Sequence, residues 1–386
     1  MTTAFDLPFS IEEYRSRVTA VQAEMARRGI DALLVHTPEN IYYLTGYRTL
    51  GYYSYMMLVV PPEGDPVHLA RFIEKSVLQG TSWVPNIETH PDTEHYLDAT
   101  IRVLHDRGFD RGTLAVDHSA WYLTIADFNA LKERLPDVKW QDSALMIETM
   151  RLIKSPAEQE YSRLAGRAAS QGMRDAVEAI RDGITENEIM AAAYNGMFAM
   201  GSEFTALPPL INAGVRHTMA HATADGNAAR WNEAVHLEIG ASIKRYHAAN
   251  LRVCHLGEPP KLFMDLTDLC RRSLEAGIAA MKPGVPAETV DHAARKVIDD
   301  AGYGDKFRHK AGYSIGIALP PDWSEARSFM LRGGEKRELQ PGMVFHILPA
   351  VFEYKEYGIG LSETVLITDT GAEVLTNAEQ KLFVKK

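Results

Sequence analysis

The sequence predicts an α+β protein of two domains: a smaller α/β unit, then a larger unit in which strands and helices are segregated. Three observations predict it. The chain has 386 residues, more than one core usually organises. Strand-like and helix-like stretches alternate from the N-terminus to about Trp140. Beyond Pro209 short apolar strands dominate, with two long helical stretches between them.

The elements follow in order. Tyr14, Val18, Val21 and Met25 recur at helical spacing, so 11–28 reads as a helix that Gly29 stops. Asp31 to Val35 reads as a buried strand, and Asn40 to Thr45 as an element closed by Gly46. Met56 to Val60 is a strand ended by Pro61 and Pro62. Residues 149–156 read as a hinge between domains 1–151 and 152–386. There Ser155 is a good helix N-cap and Pro156 a good first-turn residue. A helix to about Gln171 and another over 186–200 follow. Strands are expected at 235–239, 248–255, 314–318, 344–347 and 363–367, and helices at 262–281 and 287–301.

Composition narrows the function classes. The 46% apolar and 24% charged fractions are those of a globular domain. A net charge of −10 argues against a nucleic-acid partner. Two cysteines, Cys254 and Cys270, are too few for a disulfide framework or zinc cluster and point to a reducing cytoplasm. The first residues lack a signal-peptide pattern, and no apolar run reaches the roughly 20 residues that span a bilayer.

Three segments carry a resemblance. Met150-Arg151-Leu152-Ile153-Lys154-Ser155-Pro156, Pro341-Gly342-Met343-Val344-Phe345 and Glu363-Thr364-Val365-Leu366-Ile367-Thr368 resemble motifs of the creatinase, prolidase and Xaa-Pro aminopeptidase superfamily. The stretches 31–35 and 40–46 resemble the smaller N-terminal domain of its creatinase and prolidase branches. The resemblance implies a "pita-bread" α+β catalytic domain behind a creatinase-type α/β domain, and a homodimer. In such dimers the small domain closes over the other subunit's site, which would bring Arg48 or Tyr52 to a substrate carboxylate.

Metal-dependent members of the superfamily hold two ions with Asp, Asp, His, Glu and Glu. The resemblance places those positions on Glu238, Ala249, Tyr313, Leu348 and Ser362. Alanine, leucine, serine and tyrosine are poor partners for a divalent pair, so neither metal nor other cofactor is expected. Creatinase, which is metal-free, uses two Glu residues where this chain has Leu251 and Leu348. What remains is His221, Glu238, the run 312–318 and Pro320-Pro321-Asp322-Trp323. That set resembles the branch that opens the cyclic amidine ectoine. It implies a small-molecule substrate, ectoine and its 5-hydroxy form, and an N-acetyl-2,4-diaminobutyrate product passed to a deacetylase.

The chemistry assigns roles. Glu238 would attack the amidinium carbon or activate a water against it, and His221 would protonate the leaving nitrogen. Tyr313, Trp323, Tyr52, Arg48, His217 and Glu363 are expected substrate contacts. Trp323 and the tyrosines offer faces to a delocalised cation. Plainer readings stand beside these. Glu238 would be a strand-edge acid paired with Lys244 or Arg245, His217 and His221 surface residues, Trp323 a core plug, and the tyrosines near Gly46 ordinary packing. His247 and His255 read as structural. Other readings of the whole are a hydrolase of another amidine or guanidinium acid such as creatine, an Xaa-Pro peptidase relative, and a non-catalytic binding module.

Overall fold

The computed structural model describes residues 7–325 and 328–386. Ser10 caps the first helix, Ile11–Arg28, by accepting a hydrogen bond from Glu13 N–H, and Gly29 ends it with a left-handed φ of 66°. The four apolar residues that predict this helix are all buried. Pro38–Thr45 is also helical and ends at Gly46. The chain divides into two units, Met1–Arg151 and Leu152–Lys386.

The first unit is built on a six-stranded sheet. Its strands are β1 (Ala32–Val35), β2 (Met57–Val60), β3 (Val67–Arg71), β4 (Asn86–His90), β5 (Gly112–Val116) and β6 (Val138–Asp142). Their order is β4-β3-β2-β1-β5-β6. β1–β2 and β2–β3 are antiparallel, and the remaining pairs are parallel.

The second unit begins with a helix, Pro156–Ala179, whose Ser155 and Glu158 form a reciprocal capping box. It runs well past Gln171. Within it, a Cβ on Gly172 would lie 2.5 Å from Met197 Cγ, so the glycine lets this helix approach its neighbour, Glu186–Ala199. The expected hinge is also shorter, because Met146–Arg151 is helical. Both long helices cover one face of a sheet containing β7 (Leu210–Ala213), β8 (Ala234–Ile243) and β9 (Tyr246–Leu256), with Ala169, Met173, Leu237 and Ile239 in one core.

A second sheet, in the order β11-β10-β12-β15-β16, is formed by β10 (Gly312–Ser314), β11 (Met330–Leu331), β12 (Val344–Ile347), β15 (Glu363–Thr368) and β16 (Gly371–Val374). Between β12 and β15 lies the hairpin β13 (Ala350–Glu353) and β14 (Tyr357–Gly360). The last strand, β17 (Phe383–Lys385), joins β9 in parallel. Helices Lys261–Ala280 and Ala287–Asp300 contribute Leu274 and Ala294 to a core shared with Phe345 and Ile347. The expected strand over 314–318 breaks after Ser314, and Ile315 and Ile317 make single bridges to Ser324 and Tyr246. The two sheets meet where Leu251 bridges Ser362 and where the Thr364 hydroxyl donates to Ala249 O and accepts from Ala249 N–H. No helix among the described residues is long and apolar enough to cross a membrane.

Candidate active site

β8 alternates between two environments. Val235, Leu237, Ile239 and Ala241 face the helices. His236, Glu238 and Gly240 therefore share the opposite face. Pairing places Glu238 between Leu210 on β7 and Leu251 on β9. All three line a cavity of about 630 Å³, together with His221, Lys310, Tyr313, Asp322, Trp323, Leu348 and Phe352. Glu238 is only 6% exposed and makes no side-chain hydrogen bond to any described residue. The expected alternative, an ion pair to Lys244 or Arg245, is not formed: Arg245 lies beside Glu203. Burial, and then the Asp322 charge, push the Glu238 carboxyl up to about 7. An unpaired carboxyl titrating near neutrality in a largely apolar cavity is suited to moving protons.

Next to it runs a chain of neutral hydrogen bonds. The Trp323 indole N–H donates to the Tyr313 hydroxyl at 2.9 Å. Tyr313 lies 2.9 Å from His346 Nδ1, and His346 Nε2 lies 2.6 Å from Ser362 Oγ. Burial lowers His346 to about 3, so the ring is neutral. One proton assignment serves the whole chain: Tyr313 donates to Nδ1, and Nε2–H donates to Ser362. Tyr313 itself is held protonated, its hydroxyl raised well above the usual range by burial and the Glu238 charge. Trp323 lies over Gly240, where a Cβ would come 2.6 Å from the indole Cζ3. The glycine thus makes room for the ring that walls the cavity beside Glu238.

The structure brings Glu238, His221, Tyr313 and Trp323 to one cavity. His221 is exposed at its edge, and Trp323 is 1% exposed. Two other expected contacts, His217 and Glu363, lie outside its lining. His217 does not line the cavity: it sits in a 3-10 turn, its Nδ1 2.7 Å from Gly214 O and its ring against Phe263. Glu363 is 1% exposed and paired with the fully buried Arg252, with Thr376 and Gln380 also donating to it. Its place beside Ser362 in the sequence turns its side chain to the opposite face of β15, where it holds a structural ion pair. Arg48 and Tyr52, expected to reach the other subunit's substrate, belong to the first unit, where Tyr52 packs edge-on against Tyr122. Tyr53 is 78% exposed, unlike its half-buried neighbours.

Sequence reasoning missed His346, Lys310 and the part played by Asp322. His346 stands two residues before Leu348, one of the positions that the resemblance assigns to ligands, and that alternation is the available signal. Its cross-strand partner, Tyr313, is 33 residues away.

The residues do not fit a dinuclear metal site. Of the five positions the resemblance assigns to ligands, Ala249 and Leu348 have no donor atom, Ser362 serves His346, and Tyr313 is a protonated phenol engaged with Trp323 and His346. Only Glu238 offers a carboxylate. Among the described residues, no three His, Cys, Asp or Glu side chains are grouped to hold an ion.

These features define a two-domain hydrolase with the pita-bread catalytic fold. Residues 160–369 match metallopeptidase family M24, and residues 17–153 match the creatinase/prolidase N-terminal domain. The chain belongs to this family and is a hydrolase acting on carbon–nitrogen bonds. It is 31% identical to the ectoine hydrolase of Halomonas elongata, over 98% of this chain and 99% of that protein. An uncharacterized hydrolase/peptidase of Sinorhizobium fredii is 30% identical over 98% of this chain and 99% of its own length. The recombinant prolidase from Thermococcus sibiricus superposes with a TM-score of 0.88 at 22% identity, covering 98% of this chain and all of that one, a likeness of fold.

Proposed function

We propose that this chain opens the ring of a cyclic amidine that carries a carboxylate, with ectoine as substrate, and that it does so without a metal ion. The observation that carries the reading is Glu238: an unpaired buried carboxyl, raised to about 7, at the one ligand position of the superfamily that still carries an acid, in a cavity walled largely by apolar and aromatic side chains. The likeness to the Halomonas ectoine hydrolase along the whole chain supports the choice of substrate.

The amidinium carbon is electrophilic, but its charge is shared by two nitrogens, so water adds slowly unless a base draws off its proton. Glu238 is placed to take that proton as the water oxygen bonds to the carbon. The adduct then collapses. One carbon–nitrogen bond breaks, its electron pair leaves on the ring nitrogen, and that nitrogen takes up the proton, with His221 as the carrier at the cavity edge. The hydroxyl proton of the adduct ends on the product amine. Amidinium plus water thus gives an amide and an ammonium with no net proton change. The product is an N-acetyl-2,4-diaminobutyrate, which a deacetylase would consume. The proposal includes a cytoplasmic homodimer.

Tyr313 and Trp323 present apolar and aromatic surface to the delocalised cation, and Glu238 attracts it. Proton NMR of the purified protein with ectoine tests the reading. Loss of the ring signals with growth of an N-acetyl resonance is the expected result. An unchanged spectrum, with ectoine binding absent in a calorimetric titration, would refute the substrate.

A further inference from the structure

The cavity wall holds a cation that the reaction above does not use. Three basic residues lie on the segment leading into β10: Lys306, Arg308 and Lys310. Lys306 pairs with both Asp305 and Glu353, and Arg308 pairs with Glu353. Lys310 has no carboxylate partner among the described residues, and of the three it is the one that lines the cavity. Its ammonium stands over the Tyr313 ring, 5.3 Å from the centroid. Lys310 is half-buried.

The backbone that carries it is fixed. Arg295 donates to His309 O at 2.8 Å, His309 Nδ1 lies 2.8 Å from Lys310 O, and Ala311 N–H donates to Asp291 at 2.9 Å. His309, lowered by burial, is neutral and offers no charge. Leu207, Leu210, Leu251, Leu348 and Phe352 give the cavity apolar walls without donors. A carboxylate buried against such walls is strongly unfavourable unless a cation meets it. Among the described residues, Lys310 is the one Lys or Arg in the lining, and Glu238 and Asp322 are the lining's carboxylates.

Resting on the amidine reading, we infer that Lys310 receives the substrate's carboxylate. It would fix the ring so that the amidinium end faces Glu238, and thereby select cyclic amidines that carry an acid over those that do not. The lining is then complementary to a zwitterion: two carboxylates toward the cationic end, one ammonium toward the anionic end. Tyr313 connects the two ends, with its ring under Lys310 and its hydroxyl in the field of Glu238.

The test compares two ligands, ectoine and its ring without the carboxylate, 2-methyl-1,4,5,6-tetrahydropyrimidine. Dissociation constants by calorimetry, and KM and kcat where turnover occurs, are measured for wild type, Lys310→Met and Lys310→Arg. A hydrogen-bonded ion pair in a largely dry site predicts about 10- to 100-fold weaker binding of ectoine by Lys310→Met. Binding of the descarboxy ring should change less than about twofold, and Lys310→Arg should recover part of the loss. Equal weakening for both ligands would make Lys310 a packing residue above Tyr313 and overturn the inference, as would no weakening for either. Wild type that binds ectoine in a Lys310-dependent way without opening it would leave this inference standing and sink the reaction. Wild type that binds neither ligand would overturn both.

Discussion

Replacing Glu238 with glutamine should make the protein more stable, and by an amount that depends on pH. The carboxyl is moved from an ordinary 4.5 to about 7, chiefly by burial. Below pH 4.5 the folded and unfolded states both keep its proton, and Glu238 makes no pH-dependent difference. Between 4.5 and 7 the unfolded chain gives the proton up while the folded site retains it, so stability falls as pH rises. Above 7 the full penalty is present. A rise of about two and a half pH units, at roughly 1.4 kcal/mol each, amounts to about 3 kcal/mol. Glu238→Gln keeps the shape and removes the ionisation. Its advantage over wild type should grow from near zero at pH 4.5 to about 3 kcal/mol above pH 8. For a unit of this size that is a rise in Tm of about 6–12 °C. Thermal and urea unfolding of the two proteins from pH 4.5 to 8.5 measure it. A gain that is flat with pH, or absent at pH 8, would refute the unpaired buried carboxyl. The same variant should lose turnover, the usual exchange between stability and a strained active site.

Further outcomes follow from the same geometry. If Glu238 must be ionised to work, kcat/KM for ectoine falls tenfold per pH unit below about 7, and a profile flat from pH 5.5 to 8 would remove it as the base. Gly240→Ala places a methyl against the Trp323 indole and should lower stability by about 1–3 kcal/mol and turnover by more than tenfold. Unchanged kinetics would show that the indole does not shape the site. Glu363→Gln leaves Arg252 buried without its counter-ion and should destabilise by about 3–5 kcal/mol in urea unfolding, while KM at permissive temperature stays within twofold. A rise in KM with stability preserved would restore Glu363 as a substrate contact.

Local signals made much of the fold legible. The apolar repeat of Tyr14, Val18, Val21 and Met25, the stop at Gly29, and the Ser155-Pro156 start each act within one or two turns, and each element forms where the residues indicate. The helix after Ser155 runs to Ala179, past its expected end near Gln171, and Gly172 within it allows close approach to Met197 of the next helix. Glu238 stood out because it is the one carboxylate left at the positions that the resemblance assigns to ligands. What surrounds it depends on pairing between distant strands, which no local pattern encodes. Leu210 joins Glu238 through the β7–β8 register, and Tyr313 meets His346 through β10–β12. His217 and His221 were hard to separate in a loop-like stretch, and the turn over Gly214–Thr218 folds only His217 inward.

In the proposed reaction Glu238 drives hydrolysis of an amidine without a metal. The most direct measurement is the initial rate of ectoine opening by wild type and Glu238→Gln after exhaustive chelation, with the metal content of the protein determined in parallel. The account predicts an unchanged wild-type rate with less than one equivalent of any divalent ion, and no turnover by the variant. A wild-type rate that collapses on chelation and returns with added Mn²⁺ or Co²⁺ would contradict it, as would a variant that still opens the ring.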